Sequence, residues 1–88
     1  MLFMVVESIG GEQLARVGNR FREHGRMLPE GVAYVDSWVT PDGSTCFQLM
    51  HAPDRAALQA WVDRWSDLVT FEIFEVLRSV DFWNSARE

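Results

Sequence analysis

The chain has 88 residues, which is enough for one domain and excludes a second, because domains of this size already bury only a modest fraction of their surface. Its 48% hydrophobic content, with four Trp and six Phe, is more apolar surface than a small monomer can hide, so we expect self-association. The formal charge of -5 argues against a nucleic-acid partner and an anionic membrane surface, since both require basic residues.

The first predicted element is a strand. Leu2–Val6 is apolar at every position, as in a central strand covered on both faces. Although the opening residues superficially resemble a secretory signal, they lack a basic start and Glu7 follows at once. The single cysteine allows no intramolecular disulfide, which favours a reducing cytoplasm. No apolar run is long enough to span a bilayer.

Gly10-Gly11 ends this strand, and a helix is predicted from Glu12 to His24. Its apolar residues recur at helical spacing, at Leu14, Val17 and Phe21. Gly25 is expected to end the helix in the left-handed conformation.

Two alternating strands joined by the turn Thr40–Ser44 follow, in the segment Tyr34–Met50. If Thr40 faces Ser44, the opposed pairs are Trp38 with Cys46, Asp36 with Gln48 and Tyr34 with Met50. These six residues then share the face turned away from the helices. The other face supplies the core, with Val35, Val39, Phe47 and Leu49.

A second helix follows His51, with Asp54 favoured as its cap over a start at Pro53. One apolar stripe on it consists of Leu58, Trp61, Trp65 and Leu68. A last strand is predicted from Val69 to Leu77.

The predicted order is strand, helix, strand, strand, helix, strand. This order indicates an α+β fold, the ferredoxin-like βαββαβ plait, in which two helices cover one face of a four-stranded antiparallel sheet. Residues 1–78 form the single domain, and residues 79–88 are expected to be an arm or short helix docked on the domain or on a partner subunit. The uncovered sheet face predicts a homodimer that packs sheet against sheet.

Segments spread over most of the chain resemble the small bacterial proteins of the domain-of-unknown-function 3303 family. They include Met1–Glu7, Phe21–Pro29, Tyr34–Val39, Cys46–Met50 and Trp61–Leu68. The resemblance extends to about Leu77. It implies similarity to the dimeric α/β-barrel superfamily, whose members include cofactor-free monooxygenases, isomerases, cyclases, haem-degrading enzymes and plain ligand binders. It transfers no catalytic residue.

Three strand residues, Asp36, Gln48 and Glu72, are predicted to share the sheet face turned away from the helices. Asp36 or Glu72 is a candidate general base, and Gln48 a candidate hydrogen-bond donor to a substrate carbonyl. The structural alternative is pairing across the dimer with arginines or with aromatic donors. The arginines are Arg16, Arg20, Arg26 and Arg64, and the donors are Tyr34 and Trp38.

The remaining polar candidates are weaker on chemical grounds. His24 is a candidate proton shuttle, with a role at the helix terminus as its alternative. His24, His51, Cys46 and Asp36 have no close ligand spacing, so no metal site is predicted. Cys46 is expected to be a small buried strand residue.

Five large side chains are candidate walls of a pocket for a planar ligand, with core or interface packing as the alternative. They are Tyr34, Trp38, Met50, Trp61 and Trp65. Because nucleotide loops and recognisable catalytic triads are missing from the sequence, cofactor-independent chemistry is expected.

Two hypotheses therefore remain open. The first is a cytoplasmic homodimer that binds a small apolar or aromatic molecule and acts as a cofactor-independent monooxygenase, isomerase or cyclase. The second is a non-catalytic module that binds a ligand or another protein.

Overall fold

Four strands and three helices make up the computed structural model, which describes residues 1–86. In chain order they are β1 (Leu2–Ser8), α1 (Leu14–His24), β2 (Ala33–Val39), β3 (Thr45–His51), α2 (Arg55–Asp63), β4 (Thr70–Val76) and α3 (Ser79–Ala86). The strands form one antiparallel sheet in the order β2-β3-β1-β4. The predicted α+β class and the order of the ferredoxin-like plait are thus confirmed, with α3 added after them.

The β2–β3 hairpin has a different register from the predicted one. Val39 pairs with Cys46, and the Thr40 amide donates to the Thr45 carbonyl at 2.9 Å, so the loop is one residue longer than expected. A bulge between Tyr34 and Asp36 restores the register, and Tyr34 faces Met50 as predicted. The predicted pairs of Trp38 with Cys46 and Asp36 with Gln48 are wrong.

The Asp42 carboxylate accounts for the longer loop. One of its oxygens accepts hydrogen bonds from the Thr40 hydroxyl at 2.8 Å and from the Ser44 amide and hydroxyl at 3.0 and 2.8 Å. Gly43 adopts a φ of 76° and its amide donates to the Thr40 carbonyl at 2.8 Å, which completes the turn. These bonds lower the pKa of Asp42 to about 2.

The new register reverses the predicted faces of β3. Cys46, Gln48 and Met50 pair with the buried residues of β1 and therefore face the helices. Phe47 and Leu49 lie on the face turned away from the helices, where Cys46, Gln48 and Met50 had been predicted. Tyr34 also faces the helices, whereas Val35, expected in the core, is half-exposed at the bulge. Alternation in both strands permits either register, which is why the pattern alone did not decide it.

The core lies between the sheet and α2. Its largest fully buried side chains are Phe3, Val5, Met50, Leu58 and Trp61. Helix α2 begins at the predicted cap, since the Asp54 carboxylate accepts a hydrogen bond from the Ala57 amide at 2.8 Å. Every residue of α1, by contrast, is at least partly exposed. Helix α1 ends at His24, and Gly25 follows with a positive φ of 65°, as expected, but its ψ of -154° lies outside the predicted left-handed helical conformation.

The face of the sheet turned away from the helices, here the open face, is rich in apolar side chains. Trp38 is 53% exposed, and Phe47 and Phe74 are also exposed. The other apolar members are Leu2, Met4, Val6, Leu49 and Val76, assigned to this face by the strand register. The open face is thus more apolar than the polar and aromatic face that was predicted on this side of the sheet.

Helix α3 forms most of the predicted C-terminal segment 79–88, of which residues 87 and 88 lie outside the described part of the chain. Its large apolar side chains, Val80, Phe82 and Trp83, are each at least half exposed. The helix therefore packs little against its own domain. Across residues 1–86, each helix is too short or too polar to cross a membrane.

Candidate functional site

A pocket of about 190 Å³ lies between α1 and the helix-facing side of the sheet. Most of its wall is apolar. The lining side chains come from all layers of the fold and are Glu7, Ile9, Leu14, Val17, Phe21, Arg26, Ser37, Val39, Gly43, Cys46, Gln48, Trp61 and Trp65.

Helix α1 covers this pocket without sealing it. Leu14, Val17 and Phe21, the predicted apolar stripe, line the pocket, yet Leu14 and Phe21 remain 42% and 43% exposed. Arg20 connects α1 to the segment after α2. Its guanidinium forms two 2.7 Å hydrogen bonds with the Asp67 carboxylate and donates to the Arg64 carbonyl at 3.1 Å.

The polar end of the pocket consists of Glu7, Gln48 and Arg26. The Gln48 amide nitrogen donates to Glu7 Oε2 at 2.6 Å, and Arg26 Nε donates to Gln48 Oε1 at 3.2 Å. These two bonds require opposite ends of one amide, so they determine its orientation. Within residues 1–86, Glu7 and Arg26 are connected through Gln48 rather than by a direct ion pair.

The Glu7 carboxyl group is buried, with 9% of the residue exposed. Burial raises its pKa from 4.5 to about 7, because desolvation outweighs the hydrogen bond from Gln48 and the positive charge of Arg26, which both lower it. A carboxyl group with a pKa near neutrality can both accept and donate a proton at physiological pH. Glu7 is therefore the group in this pocket best suited to proton transfer.

Arg26 is held by aromatic groups and by α2. Its guanidinium carbon lies 3.5 Å from the centroid of the Tyr34 ring and 5.1 Å from that of Phe21. Its backbone carbonyl accepts hydrogen bonds from the indole nitrogens of Trp61 at 3.0 Å and Trp65 at 2.9 Å. These contacts position the cation at the pocket although it lies in a loop.

The next residue shows that this loop is constrained. Met27 has a φ of 58°, a conformation that is costly for a side chain of its size. Its carbonyl accepts a 2.6 Å hydrogen bond from the Arg64 guanidinium. Contacts to α2 and to the residue after it thus stabilise both the backbone and the direction of the Arg26 side chain.

Cys46 lines the pocket beside Glu7 and is half-buried. Desolvation first, and then the Glu7 charge, raise the pKa of its thiol to about 11. The thiol stays protonated at neutral pH, so it is a poor nucleophile. This agrees with the predicted role as a small strand residue.

The structure brings together three of the residues singled out in the sequence. Gln48, Trp61 and Trp65 line the pocket. Met50 lies in the core, fully buried, and Tyr34 supports Arg26 while its hydroxyl bonds the Ser37 hydroxyl at 2.7 Å.

The other candidates lie elsewhere. Asp36 pairs with Leu49 and Glu72 with Val6, so both are on the open face with Trp38. The expectation that Asp36, Gln48 and Glu72 share one face is therefore wrong for Gln48, as a result of the register shift. His24 is exposed at the end of α1, 3.7 Å from the Glu23 carboxylate. The catalytic roles assigned to Asp36, His24 and Glu72 stay predictions.

The sequence analysis did not assign Glu7 to this site, and it named Arg26 as one of several arginines that could pair with the strand residues across a dimer. Glu7 had a detectable signal, because it follows Phe3 and Val5 at the inward positions of a central strand, where an acidic residue is costly unless it has a role. The contact of Arg26 with Gln48 within one chain had no such signal, since it depends on how the loop folds back across the sheet.

Carboxylate, guanidinium, amide and thiol groups at one end of an apolar pocket suit proton transfer and binding of an oxygen atom. Among the described residues 1–86, His, Cys, Asp and Glu do not gather in threes that could hold a metal ion. Comparisons with curated proteins and with solved structures found no match. A family model does match residues 1–87, namely the one described as a domain of unknown function, DUF3303. The predicted family resemblance is confirmed, but it continues past Leu77, where it was expected to end.

Proposed function

Because the chain belongs to the DUF3303 family, whose description assigns no chemistry, we propose from its geometry that it binds a small apolar or aromatic molecule and exchanges protons with it. The observation that carries this proposal is the buried Glu7 carboxyl group at the end of an apolar pocket, with a pKa of about 7. The reaction belongs to the cofactor-independent kinds, which are isomerisation, cyclisation and oxygenation.

The size of the pocket limits the ligand. An apolar cavity of about 150 Å³ accommodates a benzene molecule, so a volume of about 190 Å³ suits one ring with a short substituent. The ring would lie against Trp61, Trp65 and Phe21, and its polar atom would reach Arg26 and Glu7. Partial exposure of Leu14 and Phe21 leaves a way in beside α1.

The proposed assembly is a homodimer with the dimeric α/β-barrel arrangement, in which two open faces pack together. The support is the apolar surface of that face, where Trp38, Phe47 and Phe74 would otherwise be in contact with water. The proposed location is the cytoplasm, because the single free cysteine provides no disulfide.

The dimer is tested by light scattering at micromolar concentration. The native chain is expected at twice the mass of one chain, and Trp38→Lys is expected to shift the mass toward one chain. Arg55→Lys, on the exposed start of α2, is the control. A single-chain mass for the native protein would contradict the assembly.

Ligand binding is tested by quenching of tryptophan fluorescence with a panel of single-ring alcohols, ketones, amides and acids. Trp61 and Trp65 line the pocket and should report occupancy. Val17→Phe fills the space beneath α1, so it should weaken binding by tenfold or more, whereas Ala15→Phe on the exposed side of α1 should not. Equal binding by both variants, or no binding by the panel, would contradict the proposal.

A second candidate function is a protein-interaction module. The observation in its favour is helix α3, whose Val80, Phe82 and Trp83 are exposed together. Truncation after Val76 is expected to leave ligand binding unchanged and to abolish the partner contact if this alternative holds. Retention of a purified partner by the truncated chain would exclude α3 as the contact.

A further inference from the structure

The site has three features that together define a ligand class. A base, Glu7, and a cation, Arg26, lie at one end of an apolar pocket, and Gln48 keeps them apart. A direct Glu7–Arg26 ion pair would hold the carboxylate in its ionised form and occupy both groups. With the amide between them, both groups remain able to act on a bound molecule.

Arg26 is able to bind an oxygen atom that develops negative charge. Its Nε is used by Gln48, and within residues 1–86 its η nitrogens donate to no other side chain. The ring of Tyr34 lies against the guanidinium face, 3.5 Å from its central carbon, so the edge carrying the η nitrogens is the part left for a ligand.

We infer that the pocket takes a single-ring carbonyl compound with a hydrogen atom on the carbon next to the carbonyl group, and that Glu7 removes and returns that proton while Arg26 stabilises the enolate oxygen. This inference rests on the proposed function and specifies its ligand class.

The step balances without a cofactor or oxidant. The C–H bond breaks and its proton moves to a carboxylate oxygen of Glu7. The electron pair of that bond forms a C=C bond, and the π pair of the carbonyl group moves onto the oxygen beside Arg26. In the return step the carbonyl group reforms and carbon takes a proton from the Glu7 carboxylic acid. Return to the same carbon exchanges the hydrogen, and return to a different carbon of a conjugated enolate isomerises the compound.

The groups around Glu7 agree with this role. The amide nitrogen of Gln48 donates a hydrogen bond to one carboxylate oxygen of Glu7, and the amide oxygen of Gln48 accepts a hydrogen bond from Arg26. Cys46 lies beside Glu7 with a protonated thiol, so it does not compete as a base. Because Glu7 must be ionised to begin the reaction, the rate is expected to rise with pH through about 7.

The test measures hydrogen–deuterium exchange of phenylacetone in D2O by proton NMR. Phenylacetone has one ring and about ten non-hydrogen atoms, which suits the pocket. N-methylbenzamide has the same number of non-hydrogen atoms and a carbonyl group, but no acidic C–H bond. It measures binding alone, by tryptophan quenching.

The native protein should accelerate exchange of phenylacetone above the buffer rate. Glu7→Gln should lower the protein-dependent rate by about 100-fold or more, the usual contribution of a general base, while quenching by both probes stays within about threefold of the native value. Glu75→Gln makes the same substitution on the exposed edge strand β4 and should leave the exchange rate unchanged. This pattern would support the inference.

Three outcomes would overturn it. Quenching by both probes without exchange shows a pocket that binds but does not remove the proton, which leaves the proposed binding standing. Exchange that survives Glu7→Gln identifies another base. If neither probe quenches the tryptophan fluorescence while other members of the panel do, the ligand belongs to another chemical class. If no member of the panel quenches it, the proposed function fails as well.

Discussion

Replacing Glu7 with Gln should make the protein more stable at pH 8 and leave its stability nearly unchanged at pH 5. The folded state raises the pKa of Glu7 from 4.5 to about 7, so between these values the folded protein holds a proton that the unfolded chain releases. The stability gained from this proton is complete below pH 4.5 and is lost as the pH rises through 7.

The size of the effect follows from the pKa values. Each pKa unit corresponds to about 1.4 kcal/mol, so the change from 4.5 to about 7 corresponds to a loss of about 3 kcal/mol by pH 8. The side-chain amide that Glu7→Gln introduces carries no charge at any of these pH values. Its oxygen can still accept the hydrogen bond that Gln48 now donates at 2.6 Å to the carboxylate.

Urea denaturation from pH 5 to pH 8, at one protein concentration, measures the free energy of unfolding for the native chain, Glu7→Gln and the exposed control Glu75→Gln. The native chain and the control should lose about 2–3 kcal/mol over this range, and Glu7→Gln should stay nearly flat. The assignment of a buried proton to Glu7 would be refuted if the free energy of unfolding of the native chain did not change with pH. It would also be refuted if that of Glu7→Gln changed with pH as much as that of the native chain.

Three further substitutions test the fold around the site by thermal and urea denaturation. Gly43→Ala should cost about 1–2 kcal/mol, because φ is 76° and a new Cβ would lie 3.0 Å from Leu14 Cδ2; an unchanged stability would contradict the turn. Leu58→Ala should cost about 2–5 kcal/mol, since this side chain is fully buried, and a smaller loss would place it outside the core. Asp42→Asn should lower the melting temperature at pH 7, a difference that should vanish as the pH falls through about 2, because the stability from this carboxylate exists above its ordinary pKa of 3.8 and is lost below its folded one. A difference that persists at pH 2 would show that the charge is not responsible.

The fold was predictable because each element carried a local signal. Helical spacing in α1 and α2, the Asp54 cap and the Pro41–Gly43 turn are properties of neighbouring residues, and they determine the order βαββαβ. Because connections between consecutive elements are short and do not cross, this order of elements is compatible with few topologies. Prediction therefore succeeded for the kind and order of the elements, but it failed for the length of the β2–β3 turn, although the contacts of Asp42 that set this length lie close together in the chain.

The site was predictable only in part, because it depends on one residue of register. A turn longer by one residue exchanged the faces of Gln48 and Phe47, and no alternation pattern distinguishes the two registers. Trp61 and Trp65 were found because their spacing of four residues is helical, although Trp65 lies in the turn that follows α2. Arg26 reaches Gln48 across 22 positions of the chain, and a contact of that kind leaves no local pattern.

The incomplete burial of α1 has a kinetic consequence. Its attachment includes the surface ion pair of Arg20 with Asp67, a solvent-screened contact that contributes little to stability, and its apolar stripe gives only partial contact with the rest of the core. Amide protons of α1 should therefore exchange with solvent through local opening of this helix, while those of β1 and β3 should exchange only on global unfolding. Opening of this helix then widens the entrance beside α1 that leads to Glu7, and the rate of ligand entry is separated from the stability of the sheet that holds the carboxyl group.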